Sequence, residues 1–292
     1  MEIIKIIPQG FCKGVVCAIK QLNIVLKENK YKKPLYMLGG IVHNQHILDA
    51  FTEQGVQIIS NFDGIKEGTI IITAHGLSTK KRNQILSQGL DIIDTTCKEV
   101  KLIQDIIKEK INEGYDIVYY GSKKHPECKS ILEDNENIHL VENINDIDNL
   151  NITNSNIFFA SQTTAAHNDV IDTFNKLSSK YPHITKIVDI CTATKQRQNA
   201  LKEKAQICDL VIVVGDKKSN NTLKLVEIAS TYTKSILIEN IEDIKNVDFS
   251  NIKTLGITAG ASTPNILVDE IIKIIKDKNH ISKITNKDYI NI

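Results

Sequence analysis

Cys12, Cys97 and Cys191 each stand where a short apolar run gives way to a helical pattern, about one small domain apart along a 292-residue chain. A cysteine so placed lies beside helix N-terminal amides, which favour thiolate and hence metal ligation. Three thiolates from three such places could hold an iron–sulfur cluster with one iron lacking a protein ligand, an open Lewis-acid site. They could equally hold Zn²⁺ with water as fourth ligand, or be core thiols, since free cysteine is among the most buried residue types. No CxxC pair is present to decide among the three.

Three histidines share the same context: His43 in "IVHN", His75 in "AHG" and His125 in "HPE". Converging imidazoles can bind an anion, ligate a metal or shuttle protons. Glu127, behind Pro126, is a candidate proton donor if partial burial raises its pKa; an exposed glutamate in a first helical turn is the plainer alternative. Thr163 and Thr164 in "SQTT", Ser219, Asn220 and Asn221 in "KSNNT", and Ser262 in "TAGASTP" open helices. Residues of these types cap helices, and the same geometry presents hydroxyls and backbone N–H groups to a phosphate. His46, His139, His167, His183 and His280 lack this context. Cys17 falls off the apolar face of its helix, Cys208 leads into a strand and reads as core, and Cys128 follows "HPE" near the same crevice.

The elements that must position these residues alternate along the chain. Strands are expected at 3–7, 34–38, 69–74, 90–94, 116–120, 138–141, 156–160, 186–190, 209–214, 235–238 and 253–258. Stretches with a period near 3.6 lie between them, including 99–112, 166–179, 193–206, 220–231 and 264–277. Such alternation implies an α/β architecture of mostly parallel sheets with helical crossovers. In open α/β sheets the carboxyl ends of strands form the ligand crevice. The strand ends here deliver Cys12/His43/His75, then Cys97/His125/Thr163, then Cys191/Ser219/Ser262, three sets each beginning with a cysteine. The expectation is three similar α/β units around a shared centre: 1–97, 98–191 and 192–278, with 279–292 as a C-terminal tail.

Composition narrows the function classes. Hydrophobic residues make up 41% and charged residues 24%, which suits a globular chain with a real core. Lys+Arg 36 against Asp+Glu 35 leaves a net charge of +1, so no basic field attracts nucleic acid. No apolar run is long enough to span a bilayer. The opening "MEIIKIIPQGFC" reads as a first strand, not a signal peptide. The expected location is the cytoplasm, where thiols stay reduced. Neither GxxxxGK[ST] nor a strand-linked GxGxxG occurs, which weighs against those nucleotide folds.

Taken in order, "GFCKGV", "IVHN", "AHG", "DTTC", "HPE", "QTT", "DICTAT" with "RQ", "VVG" with "SNNT", and "GITAGASTP" resemble the 4-hydroxy-3-methylbut-2-enyl diphosphate reductase (LytB) family over about residues 3–277. The resemblance implies a trefoil of three α/β units around a [4Fe–4S] cluster held by Cys12, Cys97 and Cys191. It implies a diphosphate gripped by His43, His75, His125, Ser219, Asn221 and Ser262, with Asn220 beside them. Glu127 matches the family's proton-delivering glutamate, and Thr163 and Thr164 match its substrate-hydroxyl relay. The implied reaction removes water reductively from an allylic diphosphate, the last step of the non-mevalonate isoprenoid route, with a ferredoxin or flavodoxin as electron donor. Rival expectations are a zinc-dependent hydrolase of a phosphorylated small molecule and a non-catalytic anion-binding module. The chain departs from the family pattern at Gln9, Gly40, Lys98, Cys128, Ser130 and Asn220, none of them an expected ligand, histidine or the glutamate.

Overall fold

The strand–helix alternation folds into three parallel four-stranded sheets, in a computed structural model that describes residues 1–28, 30–186, 190–277 and 279–292. The first sheet in chain order contains β2 (Leu35–Leu38), β3 (Val56–Ile59), β4 (Thr69–Ile72) and β5 (Asp91–Asp94). The second contains β6 (Asp116–Tyr120), β7 (Ile138–Val141), β8 (Ile157–Ser161) and β9 (Thr185–Lys186). The third contains β10 (Leu210–Val214), β11 (Lys234–Ile238), β12 (Thr254–Ala259) and, from the N-terminus, β1 (Glu2–Lys5). The helices are α1 (Lys13–Lys27), α2 (Gln45–Thr52), α3 (Thr79–Ser87), α4 (Lys98–Asn112), α5 (Pro126–Asp134), α6 (His167–Lys180), α7 (Thr192–Ala205), α8 (Asn220–Ser230) and α9 (Asn265–Lys276). None of them is long and apolar enough to cross a membrane.

All three sheets share one strand order: β3-β2-β4-β5, β7-β6-β8-β9 and β11-β10-β12-β1. Inner strands such as "TIII" of β4 and "LVIVV" of β10 are buried along their whole length, as parallel strands covered on both faces must be. β3, absent from the sequence expectation, is an edge strand with only Val56 fully buried, so its period is weak. The expected strand at 186–190 lies mostly outside the described residues, and only Lys186 of it belongs to β9.

The N-terminal strand overturns the expected grouping. β1 pairs with β12 from Glu2 opposite Thr254 to Lys5 opposite Ile257, and so completes the last sheet instead of the first. Each unit therefore ends with its cysteine: His43/His75/Cys97, His125/Thr163/Cys191 and Ser219/Ser262/Cys12. The reason is burial. Ile6 is 1% exposed, packed with Leu201, Val211 and Val213 of the C-terminal part of the chain. The segment 279–292 likewise folds back: Tyr289 and Ile290 are buried in a core shared with α1, Phe51 of α2 and Leu267 of α9.

Ile6 thus anchors the strand that carries Cys12. Ile6→Ala is expected to cost about 2–5 kcal/mol. The check is the urea midpoint; an unchanged midpoint would show that β1 is not part of the cooperative core.

Candidate active site

The loops that follow the strands converge on one cavity at the junction of the three sheets. Its walls include Cys12, Cys97, Cys191, His43, His75, His125, Glu127, Thr163, Thr164, Ser219, Asn220, Asn221 and Ser262, every site residue expected from the sequence.

Each cysteine is the N-cap of the helix behind it, α1, α4 or α7, and none spends its sulfur on a capping bond. One backbone contact repeats in all three units. The amide of Cys97 donates to Ala74 O at 3.0 Å, that of Cys191 to Thr163 O at 3.2 Å, and that of Cys12 to Ala261 O at 3.0 Å. The sulfurs meet at the start of α1: a Cβ on Gly14 would lie 2.5 Å from Cys97 Sγ and 3.8 Å from Cys12 Sγ, so a side chain has no room there. The amides of Glu99 and Val100, and of Ala193 and Thr194, favour the thiolates of Cys97 and Cys191 as expected. Burial outweighs them, however, and both thiols are pushed up. Three soft sulfurs converging in one cleft suit an iron–sulfur cofactor. The other cysteines stay out: Cys17 is exposed, and Cys128 and Cys208 are buried in packed apolar clusters.

The histidines form a compact trio. His43 and His75 have ring centroids 4.5 Å apart, and each lies within 5.6 Å of His125. One ring nitrogen from each lies within 4.8 Å of the others, close enough to share a single ion. Burial holds all three below the ordinary imidazole value, His125 at about 3, and the neighbouring rings depress His75 further. His125 Nδ1 accepts the amide N–H of Glu127 at 3.3 Å, so the neutral ring carries its proton on Nε2.

Glu127 is 1% exposed, and burial raises its carboxyl to about 7. Its oxygens are not equivalent. Oε1 accepts from the amide of Thr163 at 2.9 Å and the hydroxyl of Tyr119 at 3.3 Å. Oε2 accepts from Thr163 Oγ1 at 2.9 Å. Ser130 Oγ donates to the Glu127 carbonyl at 2.8 Å. Tyr119 carried no signal in the sequence, because it sits within an apolar strand run whose residues face inward for packing.

On the remaining wall, Ser219 caps α8 by accepting from the Thr222 amide, and Ser262 Oγ donates to His43 O at 2.9 Å, tying the third unit to the first. Both polar atoms of the Asn221 side chain are buried without a partner, as an amide awaiting a ligand would be. Asn220 instead donates its amide to Thr164 O at 2.9 Å and Oγ1 at 3.1 Å, bridging the second and third units. Lys98 opens α4 as an exposed residue. Gly40 is crowded, since a Cβ there would meet Val42 O at 2.9 Å.

Comparison with known proteins agrees with this geometry. A family profile described as "LytB protein" matches residues 3–276. The 4-hydroxy-3-methylbut-2-enyl diphosphate reductase of Halalkalibacterium halodurans is 39% identical over 285 residues, covering 94% of this chain and 91% of that protein. The enzyme of the same name from Lysinibacillus sphaericus is 40% identical over 94% of this chain and 88% of its own length. Among solved structures, the E-1-hydroxy-2-methyl-but-2-enyl-4-diphosphate reductase of Plasmodium falciparum superposes with a TM-score of 0.89 at 30% identity, covering 99% of this chain and 96% of that one.

On their own the three imidazoles are neutral at pH 7, and an anion among them favours their protonation. Inorganic diphosphate is therefore expected to bind with proton uptake, its Kd falling as pH drops from 8 to 6, by up to about tenfold per pH unit for each imidazole that titrates. Calorimetry in two buffers of different ionisation enthalpy measures this; a pH-independent Kd without proton uptake would contradict it.

Proposed function

The chain belongs to the LytB protein family, and from that premise we infer that it is a 4-hydroxy-3-methylbut-2-enyl diphosphate reductase. It catalyses the terminal step of the non-mevalonate isoprenoid route. The substrate's allylic C–O bond breaks with uptake of two electrons and two protons. One proton leaves in water, and the other adds at either end of the allyl unit, giving dimethylallyl diphosphate or, with a shift of the double bond, isopentenyl diphosphate. The observation that carries this reading is the meeting of three unspent cysteines, a histidine trio and a buried, protonatable glutamate in one cavity. The relatives lend no support to a zinc hydrolase or to a non-catalytic anion-binding module.

The family is one of iron–sulfur enzymes. We assign the cofactor as [4Fe–4S], held by Cys12, Cys97 and Cys191. When bound it supplies electrons and, at the iron without a protein ligand, Lewis acidity toward the substrate hydroxyl. A ferredoxin or flavodoxin is the electron donor that suits such a site, in a compartment such as the cytoplasm where thiols stay reduced.

The protein's own groups divide the remaining work. The diphosphate is held by the imidazole N–H groups of His43, His75 and His125, the hydroxyls of Ser219 and Ser262, and the free amide of Asn221, with the N-terminus of α8 behind them. Asn220 and Thr164 line the same wall as a bonded pair. Hydroxide leaves poorly, so the departing oxygen needs a proton. Glu127 supplies it. Because Oε1 already accepts two donors, the carboxyl proton resides on Oε2, facing Thr163 Oγ1. The Thr163 hydroxyl can then accept from Oε2–H while donating its own proton into the cavity.

Glu127→Gln is expected to retain iron, labile sulfide and substrate binding while losing about 10²–10⁴ in turnover, the range for a positioned acid. Glu127 must be protonated to act, so the wild-type rate should fall above pH about 7, where its carboxyl titrates. Tyr119→Phe removes a donor that favours the carboxylate, and should move that limb to higher pH. A Glu127→Gln enzyme with full turnover would remove Glu127 from this role. Wild-type protein that takes up no iron or sulfide after anaerobic reconstitution would remove the cofactor assignment.

A further inference from the structure

A chain whose Lys+Arg count is 36 contains only two arginines, Arg82 and Arg197, and both brace cysteine-bearing loops. Arg82 donates to Asp94 Oδ2 at 2.8 Å, Thr96 Oγ1 at 3.2 Å and Leu77 O at 3.1 Å, fixing the turn that ends in Cys97. Its charge is matched by Asp94. Arg197, on α7, donates through Nη2 to Gly10 O at 2.7 Å and through Nη1 to Ala193 O at 2.8 Å. Gly10 precedes Cys12 by two residues and Ala193 follows Cys191 by two. One guanidinium therefore clamps two of the three cysteine loops together.

The charge of Arg197 is the unusual part. The residue is 4% exposed, both hydrogen-bond acceptors are neutral carbonyls, and no carboxylate pairs with it among the described residues. Its Nε–H is buried without a partner. A guanidinium cannot discharge by losing its proton, so a buried one requires an anion nearby. The groups beside it that can become negative are the thiols of Cys12 and Cys191, which ionise on ligating a metal. Lysine, a compact point charge on a flexible stem, would not reproduce this planar fork between Gly10 O and Ala193 O.

We propose that Arg197 is the built-in counter-cation and clamp of the cysteine site, a positioning residue that sets the spacing of Cys12 and Cys191 and raises the reduction potential of the iron–sulfur group they hold. A fixed positive charge in a low-dielectric interior stabilises the form carrying the extra electron. This rests on the assignment of the three cysteines as cofactor ligands.

The test compares wild type, Arg197→Met, Arg197→Lys and Arg82→Met after anaerobic reconstitution. Iron and labile sulfide per chain and the midpoint potential, followed by EPR, are the readouts. Arg197→Met is expected to shift the reduction equilibrium at least tenfold toward the oxidised form, 59 mV for a one-electron couple. Arg197→Lys should stay within threefold of wild type but load less iron, because the charge survives and the clamp does not. Arg82→Met should leave the potential unchanged. Should Arg197→Met fail to fold, Arg197→Gln carries the same expectation. An unshifted potential in a loaded Arg197→Met or Arg197→Gln protein, or an equal shift in Arg82→Met, overturns the proposal. Wild-type protein that holds no iron or sulfide overturns the ligand assignment itself, and the two failures are thereby distinct.

Discussion

The site depends on one backbone hydrogen bond made three times. In each unit the amide of the cysteine donates to a carbonyl in the loop after the third strand: Ala74, Thr163 or Ala261. The bond fixes the start of the following helix against the loop that carries His75, Thr163 or Ser262, so each cysteine is held beside a second residue of the cavity wall. A parallel sheet cannot achieve this with side chains alone, because its strand ends splay with the twist. Three copies of this local turn geometry bring the loops of all three units to one pocket.

Inside that pocket one physical cause acts on six titratable groups. Burial makes the imidazoles of His43, His75 and His125 give up charge, keeps the Glu127 carboxyl protonated up to about pH 7, and holds the thiols of Cys97 and Cys191 neutral. These six groups therefore carry little charge of their own, although they are of types able to bind an anion and a metal. Each ligand supplies the counter-charge that its own cradle lacks. Arg197 stands apart because it cannot shed its proton, and the sulfurs of Cys12 and Cys191 are the groups beside it able to offset its charge once ionised.

Much of this was legible in the sequence, for a definite reason. Parallel strands buried on both faces read as short apolar runs, and the residue after each run is where the crevice lies, so Cys12, His43, His75, Cys97, His125, Thr163, Cys191, Ser219 and Ser262 could be picked out by position. The phase of the repeat could not. Nothing in "EIIK" distinguishes a strand that opens the first unit from one that closes the third; Ile6 and its distant partners decide that. Tyr119 was hidden because an aromatic in a strand run is ordinarily packing, and only its hydroxyl at 3.3 Å from Glu127 reveals more. The unpaired charge of Arg197 is likewise a property of its surroundings, although "RQ" marked its place.

The strand that confounded the sequence phase also orders events along the chain. β1 is made first, yet its partner β12 and the carbonyl of Ala261 that positions Cys12 are made near the end. The first two units can close their sheets from local segments. The third closes only when residues 254–257 reach 2–5, a contact spanning nearly the whole chain and slow on entropic grounds. Cys97 and Cys191 can thus be placed before Cys12 is. Cys12 reaches its place in the same step that completes the third sheet. On the ligand assignment proposed above, cofactor binding is in this way coupled to finished folding, because segments from near both ends of the polypeptide meet at the site.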